Sequence, residues 1–266
     1  MRALAVHQDV IVVVSSVWQT TCTAVRSGDE GFVIDSPLLP DELDALPALF
    51  EQARFPVTGL LATHADWDHL LGKLAFPECS LGVGEAAARR LAENLGEPQR
   101  LLREFDSEWY LDGRRPLSMA GYQPLPVPGR ISIGSETVNE LEVYPADGHT
   151  ADGVAFWLPW AAVLICGDYL SPVELPAICP EAGGDAHAYR ETLMRLAPLV
   201  ARAQSVVPGH GRPLDRDRAL EILAEDRAYL DALISGTEPT LPQGRRSAAQ
   251  KRLHVRNLQA SGTSGA

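Results

Sequence analysis

No stretch of this chain approaches the ~20 consecutive apolar residues that a membrane-spanning helix requires, so no membrane association is expected. The opening "MRALAVHQDV" is broken by His7 and Asp9 and lacks the apolar core of a secretory signal. Cysteine is scarce and dispersed: Cys22, Cys79, Cys166 and Cys179 form no C-x-x-C pair. That argues against a disulfide framework and a thiolate zinc site, and it fits reduced, mostly buried thiols in a cytoplasmic protein. Bases are also few, with 23 Lys and Arg against 35 Asp and Glu and a formal net charge of −12. From Thr237 onward five bases face the single acid Glu238, so residues 1–236 carry −16. A field of that sign repels polyphosphate, which disfavours nucleic acid as a partner and leaves a small molecule.

What is present is an ordinary globular composition over 266 residues, 45% hydrophobic and 22% charged, enough to bury a substantial core. Strand signals are strong in both halves. "VIVVVSSVW" (10–18), "CTAVRS" (22–27) and "GFVID" (31–35) are β-branched runs, with "SGDE" as a hairpin turn. "DELDALPALFEQARF" has helical apolar spacing, although Pro47 obscures where it starts. "VTGLLATH" (57–64) reads as a buried strand that delivers His64. Residues 84–110 are largely helical, and 112–130 are a proline- and glycine-rich loop or crossover. The second half repeats the scheme with "ISIG", "VNELEVYPA", "GVAFWLP" and "AAVLICGD". Helix follows over "DAHAYRETLMRLAPLVARA", then a short strand "SVVPGH" and a helix at about 215–234. Strand-rich halves closed by helices predict an α/β fold in which two sheets pack face to face with helices outside. The domain expected is 1–236, followed by a basic C-terminal extension over 237–266, partly helical and then frayed at "ASGTSGA".

The chemistry is concentrated at strand ends. "THADWDHLLG" packs His64, Asp66, Asp68 and His69 into six residues. "DGHTADG" then supplies His149, "CGDYL" supplies Asp168 and "VPGHGRP" supplies His210. Four of the seven histidines lie in these motifs, each flanked by glycines that let the backbone turn sharply. Acids and imidazoles at this density point to metal. Imidazole and carboxylate together suit zinc, manganese or iron. Two divalent ions about 4 Å apart can share a hydroxide and hold both attacking and leaving oxygens.

These motifs resemble those of the metallo-β-lactamase superfamily, whose hallmark is H-x-H-x-D-H followed by separate His, Asp and His motifs. The resemblance spans residues 10–234 and implies a four-layer αβ/βα sandwich with a two-metal site at one edge of the sheets. By position it implies that His64, Asp66 and His149 hold one metal, that Asp68, His69 and His210 hold the other, and that Asp168 bridges. Asp66 departs from the pattern, since it replaces the second histidine. A carboxylate is still a competent ligand, so an altered but working site is the expectation. Formal charges of two divalent ions, one hydroxide, Asp68 and Asp168 leave one net positive charge, which Asp66 would cancel. Oxygen ligation also tilts that first site towards manganese or iron, with zinc the leading cofactor overall.

The glyoxalase-II-like look of "GHTADG", "GDYL" and "PGHG" implies metal-dependent hydrolysis of a small ester, thioester or lactone by hydroxide attack on its carbonyl. The alternative is a metal-poor binding or regulatory module that keeps the fold. Asp68 reads as a ligand, or as a general base in a one-metal site. Tyr169 is a candidate donor to a developing oxyanion, although the family's lactonases place a tyrosine where this chain has Ser171. Trp67 lines the entrance or packs beneath the loop. Cys166 reads as core, and His187 and Tyr189 as surface or packing residues. His254 and Asn257 share a helix face that either covers the site or, the favoured expectation, is simply exposed. Segment 97–130 is the expected lid or substrate wall. Nothing in the sequence sets the oligomeric state.

Overall fold

The computed structural model describes residues 1–135 and 138–261. Strands Arg2–His7 (β1), Val10–Val14 (β2), Thr21–Ser27 (β3) and Glu30–Asp35 (β4) form an antiparallel meander. Helix Pro40–Gln52 (α1) crosses to Gly59–Leu61 (β5), and a short helix Gly72–Ala75 (α2) leads to Leu81–Gly84 (β6). Helices Glu85–Glu93 (α3) and Glu97–Glu108 (α4) precede Tyr122–Leu125 (β7), and β4 to β7 are parallel neighbours. The second sheet contains Gly129–Ile133 (β8), Asn139–Pro145 (β9), Val154–Leu158 (β10) and Val163–Ile165 (β11), all antiparallel in order. Helix Ala186–Val200 (α5) then crosses to Ser205–Val207 (β12), parallel to β11, and Leu214–Asp215 (β13) closes that edge. Helices Arg216–Ile234 (α6) and Ala248–Ala260 (α7) complete the chain.

Side-chain alternation explains the layering. In β2, Val10, Val12 and Val14 point into a core shared with Phe156 and Leu158 of β10 and Ile165 of β11, while Val13 faces the other way. Ala155, Trp157, Leu164 and Cys166 point outward beneath α5, α6 and α7. Cys22, Ala24 and Val33 point outward beneath α1 to α4. The central strands of both sheets, such as β2, β5, β10 and β11, are therefore covered on both faces, which is why they read as continuous apolar runs rather than polar–apolar alternation. The result is the expected four-layer arrangement, helices–sheet–sheet–helices.

Local differences have local causes. Within 57–64 only Gly59–Leu61 is strand; the following residues leave the sheet and carry His64 beyond its edge. Pro47 lies inside α1 without ending it, and the helix begins at Pro40, a first-turn position that needs no N–H partner.

The larger correction concerns the basic extension. An exposed face was expected for His254 and Asn257, yet both are buried, as are Arg245 and Gln250, and Leu253 joins the core under α6. Arg245 is hydrogen-bonded to the buried Asp226 and, at 2.8 Å, to Glu225. The acids that pair it lie on α6, distant in sequence from Arg245; the other four bases of the tail, Arg246, Lys251, Arg252 and Arg256, are exposed, as expected of a solvated face. Its last residues, 262–266, where fraying was expected, lie outside the described residues.

Burial pushes the Asp226 carboxyl up to about 7 even with Arg245 beside it. Replacing Arg245 with Met should lower stability by about 3 kcal/mol, because a buried acid is left without its cation. A folded-state value raised above the unfolded one destabilises only where the unfolded carboxyl is ionised. Loss of the guanidinium raises the folded value further, so the variant's deficit should widen above about pH 7. Urea unfolding of both proteins at about pH 5 and pH 8 measures it; a deficit that shrinks at the higher pH contradicts the pairing.

Candidate metal centre

The site is built where strands end. β5 leads to Thr63 and His64, and a tight 3-10 turn over Trp67–His69 follows Asp66. His149 lies in the turn between β9 and β10, Asp168 follows β11, and His210 follows β12. Two glycines make these approaches possible. Gly148 has φ +126°, and a Cβ there would lie 2.1 Å from the Tyr189 nitrogen. A Cβ on Gly209 would lie 2.1 Å from Asp168 Oδ1.

Within this edge the seven expected side chains come together. His64, Asp66 and His149 form one group and Asp68, His69 and His210 another, with ligand atoms in each within 4.8 Å of one another. Asp66 Oδ2 lies 3.6 Å from His64 Nε2 and 3.4 Å from His149 Nε2. Asp68 Oδ2 lies 3.6 Å from His69 Nε2 and 3.5 Å from His210 Nε2. Asp168 sits between the groups, 3.9, 3.2, 3.3 and 3.4 Å from the Nε2 atoms of His64, His69, His149 and His210. A tetrahedral ion with ligands at about 2.1 Å has ligand–ligand edges of roughly 3.4 Å. The spacing suits such ions.

The hydrogen bonding suits them too. The Nε2 atoms of His64, His69 and His149 and Asp168 Oδ1 are buried without a hydrogen-bond partner, a costly state for polar atoms unless a cation takes them up. Three of the four rings are hydrogen-bonded from behind through Nδ1. His149 Nδ1 donates to the Ala177 carbonyl at 2.7 Å and His210 Nδ1 to the Trp18 carbonyl at 3.1 Å. Thr63 Oγ1 spends its proton on Asp35 Oδ2 at 2.9 Å, so it accepts from His64 Nδ1 at 3.0 Å. His69 Nδ1 lies 3.1 Å from the same Asp35 Oδ2, a charge contact rather than an aligned hydrogen bond. With Nδ1 protonated, the Nε2 lone pairs face the centre.

Electrostatics run in the same direction. Burial alone would keep these imidazoles neutral and raise the carboxyls, but mutual contact wins. His210 is pushed up to about 10, chiefly by Asp168 and Glu174 against the cost of burial. His69 and His149 are raised well above the ordinary histidine range. Burial opposes ionisation of Asp66 and Asp168, yet the surrounding imidazoles hold both well below the usual carboxylate range. Carboxylates that draw protons onto their neighbours so strongly will draw cations, and metal binding would release those protons.

Three supporting residues were invisible in the motif reading. Asp35, at the end of β4, ties Thr63 and His69 as described and accepts from the Thr63 amide at 2.8 Å. Arg90 of α3 places Nη2 2.8 Å from Asp66 Oδ1, the oxygen turned away from the imidazoles. Its Nη1 lies 3.1 Å from Asp152 Oδ1, and Asp152 Oδ2 accepts from the Ala65 amide at 2.8 Å. Arg90 and Asp152 offset each other, so the expected cancellation of charge by Asp66 stands, with a cation set against its outward oxygen. Asp152 stands in the quoted "GHTADG", and Asp35 closes a strand, so both had a signal. Arg90 had none.

Tyr169 needs correction as an oxyanion donor. Its one hydroxyl proton goes to the Ala146 carbonyl at 2.9 Å, and its oxygen accepts from the His149 amide at 3.0 Å, so no donor remains. Ser171, at the alternative position, donates to the His210 carbonyl at 2.7 Å. Tyr189 is buried and donates to the Asp168 carbonyl at 2.7 Å, whereas His187 is exposed.

A family description of the metallo-beta-lactamase superfamily matches residues 15–210. The chain belongs to the metallo-β-lactamase superfamily. Solved structures with this fold include a metallo-beta-lactamase family protein, TTHA1429, from Thermus thermophilus, at 19% identity and a TM-score of 0.66 over 97% of this chain and 95% of that one. The stereoselective inverting sec-alkylsulfatase Pisa1 from Pseudomonas sp. aligns at 15% identity and 0.71, covering 97% of this chain and 50% of that one. TTHA1623, solved in a di-iron-bound form, aligns at 23% identity and 0.58 over 79% and 97%. The chain thus spans about half the length of the alkylsulfatase and nearly all of the other two. At these identities the likeness is one of fold. Superfamily members are in general metal-dependent hydrolases, and the edge described here is where this member gathers candidate ligands.

Gly209→Ala tests how tightly that edge is packed. The methyl group would displace the Asp168 carboxylate, so the variant should keep its far-ultraviolet circular dichroism but lose at least about half of its bound metal after dialysis against zinc. Full metal content in Gly209→Ala would mean that the carboxylate is not held where the structure places it.

Proposed function

We propose that this chain is a hydrolase of a small ester, thioester or lactone, with His64, Asp66 and His149 holding one divalent ion and Asp68, His69 and His210 a second. The observation that carries the reading is the convergence of the partnerless Nε2 atoms of His64, His69 and His149 on Asp168, with the His64 and His149 rings hydrogen-bonded from behind. Two ions there, zinc first and manganese or iron next, would supply an activated water and polarise the carbonyl. Asp168, which lies between the two groups, would be the ligand shared by both ions. Asp68 acts as a ligand rather than a free base, since its Oδ2 sits between His69 and His210 and its backbone carbonyl is held by Ser36 Oγ at 3.1 Å. A metal-poor binding module would not need every lone pair at the centre kept free.

The substrate side of the centre is aromatic. Trp18, whose carbonyl holds His210, packs its ring against Trp67 and Phe105 at centroid distances of 5.8 and 5.2 Å. Phe105, from α4, also contacts Trp67 and Trp109. Trp18 and Trp109 remain 44% and 43% exposed. Trp18 and Gln19 both adopt φ +53°, a conformation that strains non-glycine residues and is commonly retained for function. This cluster is the substrate wall supplied in part by segment 97–130, and it suits an apolar or aryl substituent better than a charged one.

Protein purified without chelator should contain between about one and two transition-metal ions per chain, with the Asp68–His69–His210 site filled first. A panel of thioesters, esters and lactones should reveal turnover, and Asp168→Ala should lower it by about three orders of magnitude. Less than about a tenth of an equivalent of metal, unchanged by supplementation, would favour the binding-module reading. Trp18→Ala should raise KM for an aryl ester about tenfold while leaving kcat and the acetyl ester little changed. Equal losses on both esters would remove the wall from the account.

A further inference from the structure

Residues 171–178 connect Asp168 to the region behind His149, and they form neither helix nor strand. An irregular segment this close to the core must find partners for its backbone polar groups elsewhere. The C-terminal extension supplies them. Arg245 Nη1 donates to the Glu174 carbonyl at 3.0 Å, and Gln250 Oε1 accepts from the Leu175 amide at 2.7 Å. Asn257 makes the most directed contact: its Nδ2 donates to the Pro176 carbonyl at 2.6 Å and its Oδ1 accepts from the Ile178 amide at 3.2 Å. The other amide proton goes to the Tyr229 hydroxyl at 3.1 Å, and that hydroxyl lies 3.0 Å from His254 Nδ1. Asn257 is fully buried and every polar position of its side chain is used.

The two loop groups gripped by Asn257 flank a single residue, Ala177, whose carbonyl accepts from His149 Nδ1. We propose that Asn257 is a positioning residue of the metal centre: by fixing Pro176 and Ile178 it fixes the Ala177 carbonyl, and through it the orientation and Nδ1-protonated form of His149. The face that reads as an exposed helix surface in the sequence thereby sets the geometry of a ligand some hundred residues away in the chain. This rests on the reading of His149 as a metal ligand. A merely structural Asn257 would dock α7 and would not distinguish one metal position from the other.

Zinc titrated into chelator-stripped protein, against a chromophoric competitor, separates these roles without any substrate. His149→Ala identifies which of the two binding constants belongs to the His149 position. Asn257→Ala should weaken that same constant by about tenfold, the low end for residues that orient a metal-bound histidine, and leave the other unchanged. In a His149→Ala background it should add nothing, because the route through Ala177 is already cut. Arg256→Ala, exposed on the same helix, should leave both constants at wild-type values. If Asn257→Ala fails to fold by circular dichroism, Gln250→Ala, which frees the Leu175 amide, is judged by the same criteria. Equal weakening of both constants, no weakening, or a loss that persists without His149 overturns the proposal. Wild-type protein that takes up no zinc overturns the metallo-hydrolase reading and this one with it, whereas zinc-binding wild type with an unaffected variant overturns this one alone.

Discussion

Four imidazoles can offer their Nε2 lone pairs to one small volume only if each Nδ1 is engaged on the far side, and the fold is arranged around three hydrogen bonds and one charge contact that do so. One tie is the Trp18 carbonyl, from the loop between β2 and β3; another is the Ala177 carbonyl, beyond β11. Thr63, just past β5, ties its own neighbour His64, and Asp35 at the end of β4 ties both Thr63 and His69. Both sheets contribute, so the face-to-face packing of valines and phenylalanines that joins the sheets also holds the two halves of the site in register. Slippage of one sheet against the other would separate the ligands before it exposed much of the core.

The second constraint is charge. Three carboxylates at one edge repel each other unless cations intervene, and two kinds can. Divalent ions suit the inward oxygens of Asp66, Asp68 and Asp168. The outward oxygen of Asp66 has a permanent cation of the chain's own, Arg90, which Asp152 in turn anchors. A histidine at position 66 would present no outward oxygen for that guanidinium. Asp66, Arg90 and Asp152 are therefore best understood as one chain of ion pairs that occupies the position of a histidine while exchanging a nitrogen ligand for an oxygen.

How much of this could be read in advance follows from what each residue needs from its neighbours in sequence. The ligand motifs were legible because a side chain at the end of a buried strand requires a sharp turn, and glycines beside His149, Asp168 and His210 announce it. The two-sheet architecture was legible because strands covered on both faces are apolar throughout. Arg90 was not legible: Arg89 and Arg90 are adjacent on α3, and only the helical step of about 100° between them turns one to solvent and the other towards Asp66. Tyr169 was misread because proximity in sequence to Asp168 says nothing about where its hydroxyl points. The tail was misread for a related reason. His254 and Asn257 do share a helix face, as their spacing implies, but whether a face is buried depends on what packs against it, and that is set by α6 and the 171–178 loop, far away in sequence.

The tail's bases and the acids of the body also bear on each other. Arg245 reaches Asp226 and Glu225 of α6 while its Nη1 holds the Glu174 carbonyl, so one side chain joins helix, loop and extension. Glu174 itself is raised by burial and faces the field of Asp168 and Asp68 as well as of His210. Its backbone is thus fixed by the same segment whose amide at Asn257 brackets Ala177. Arg245 therefore meets a buried carboxylate and a bare peptide carbonyl at once, whereas Gln250 and Asn257 supply neutral donor–acceptor contacts to the peptide groups of Leu175, Pro176 and Ile178.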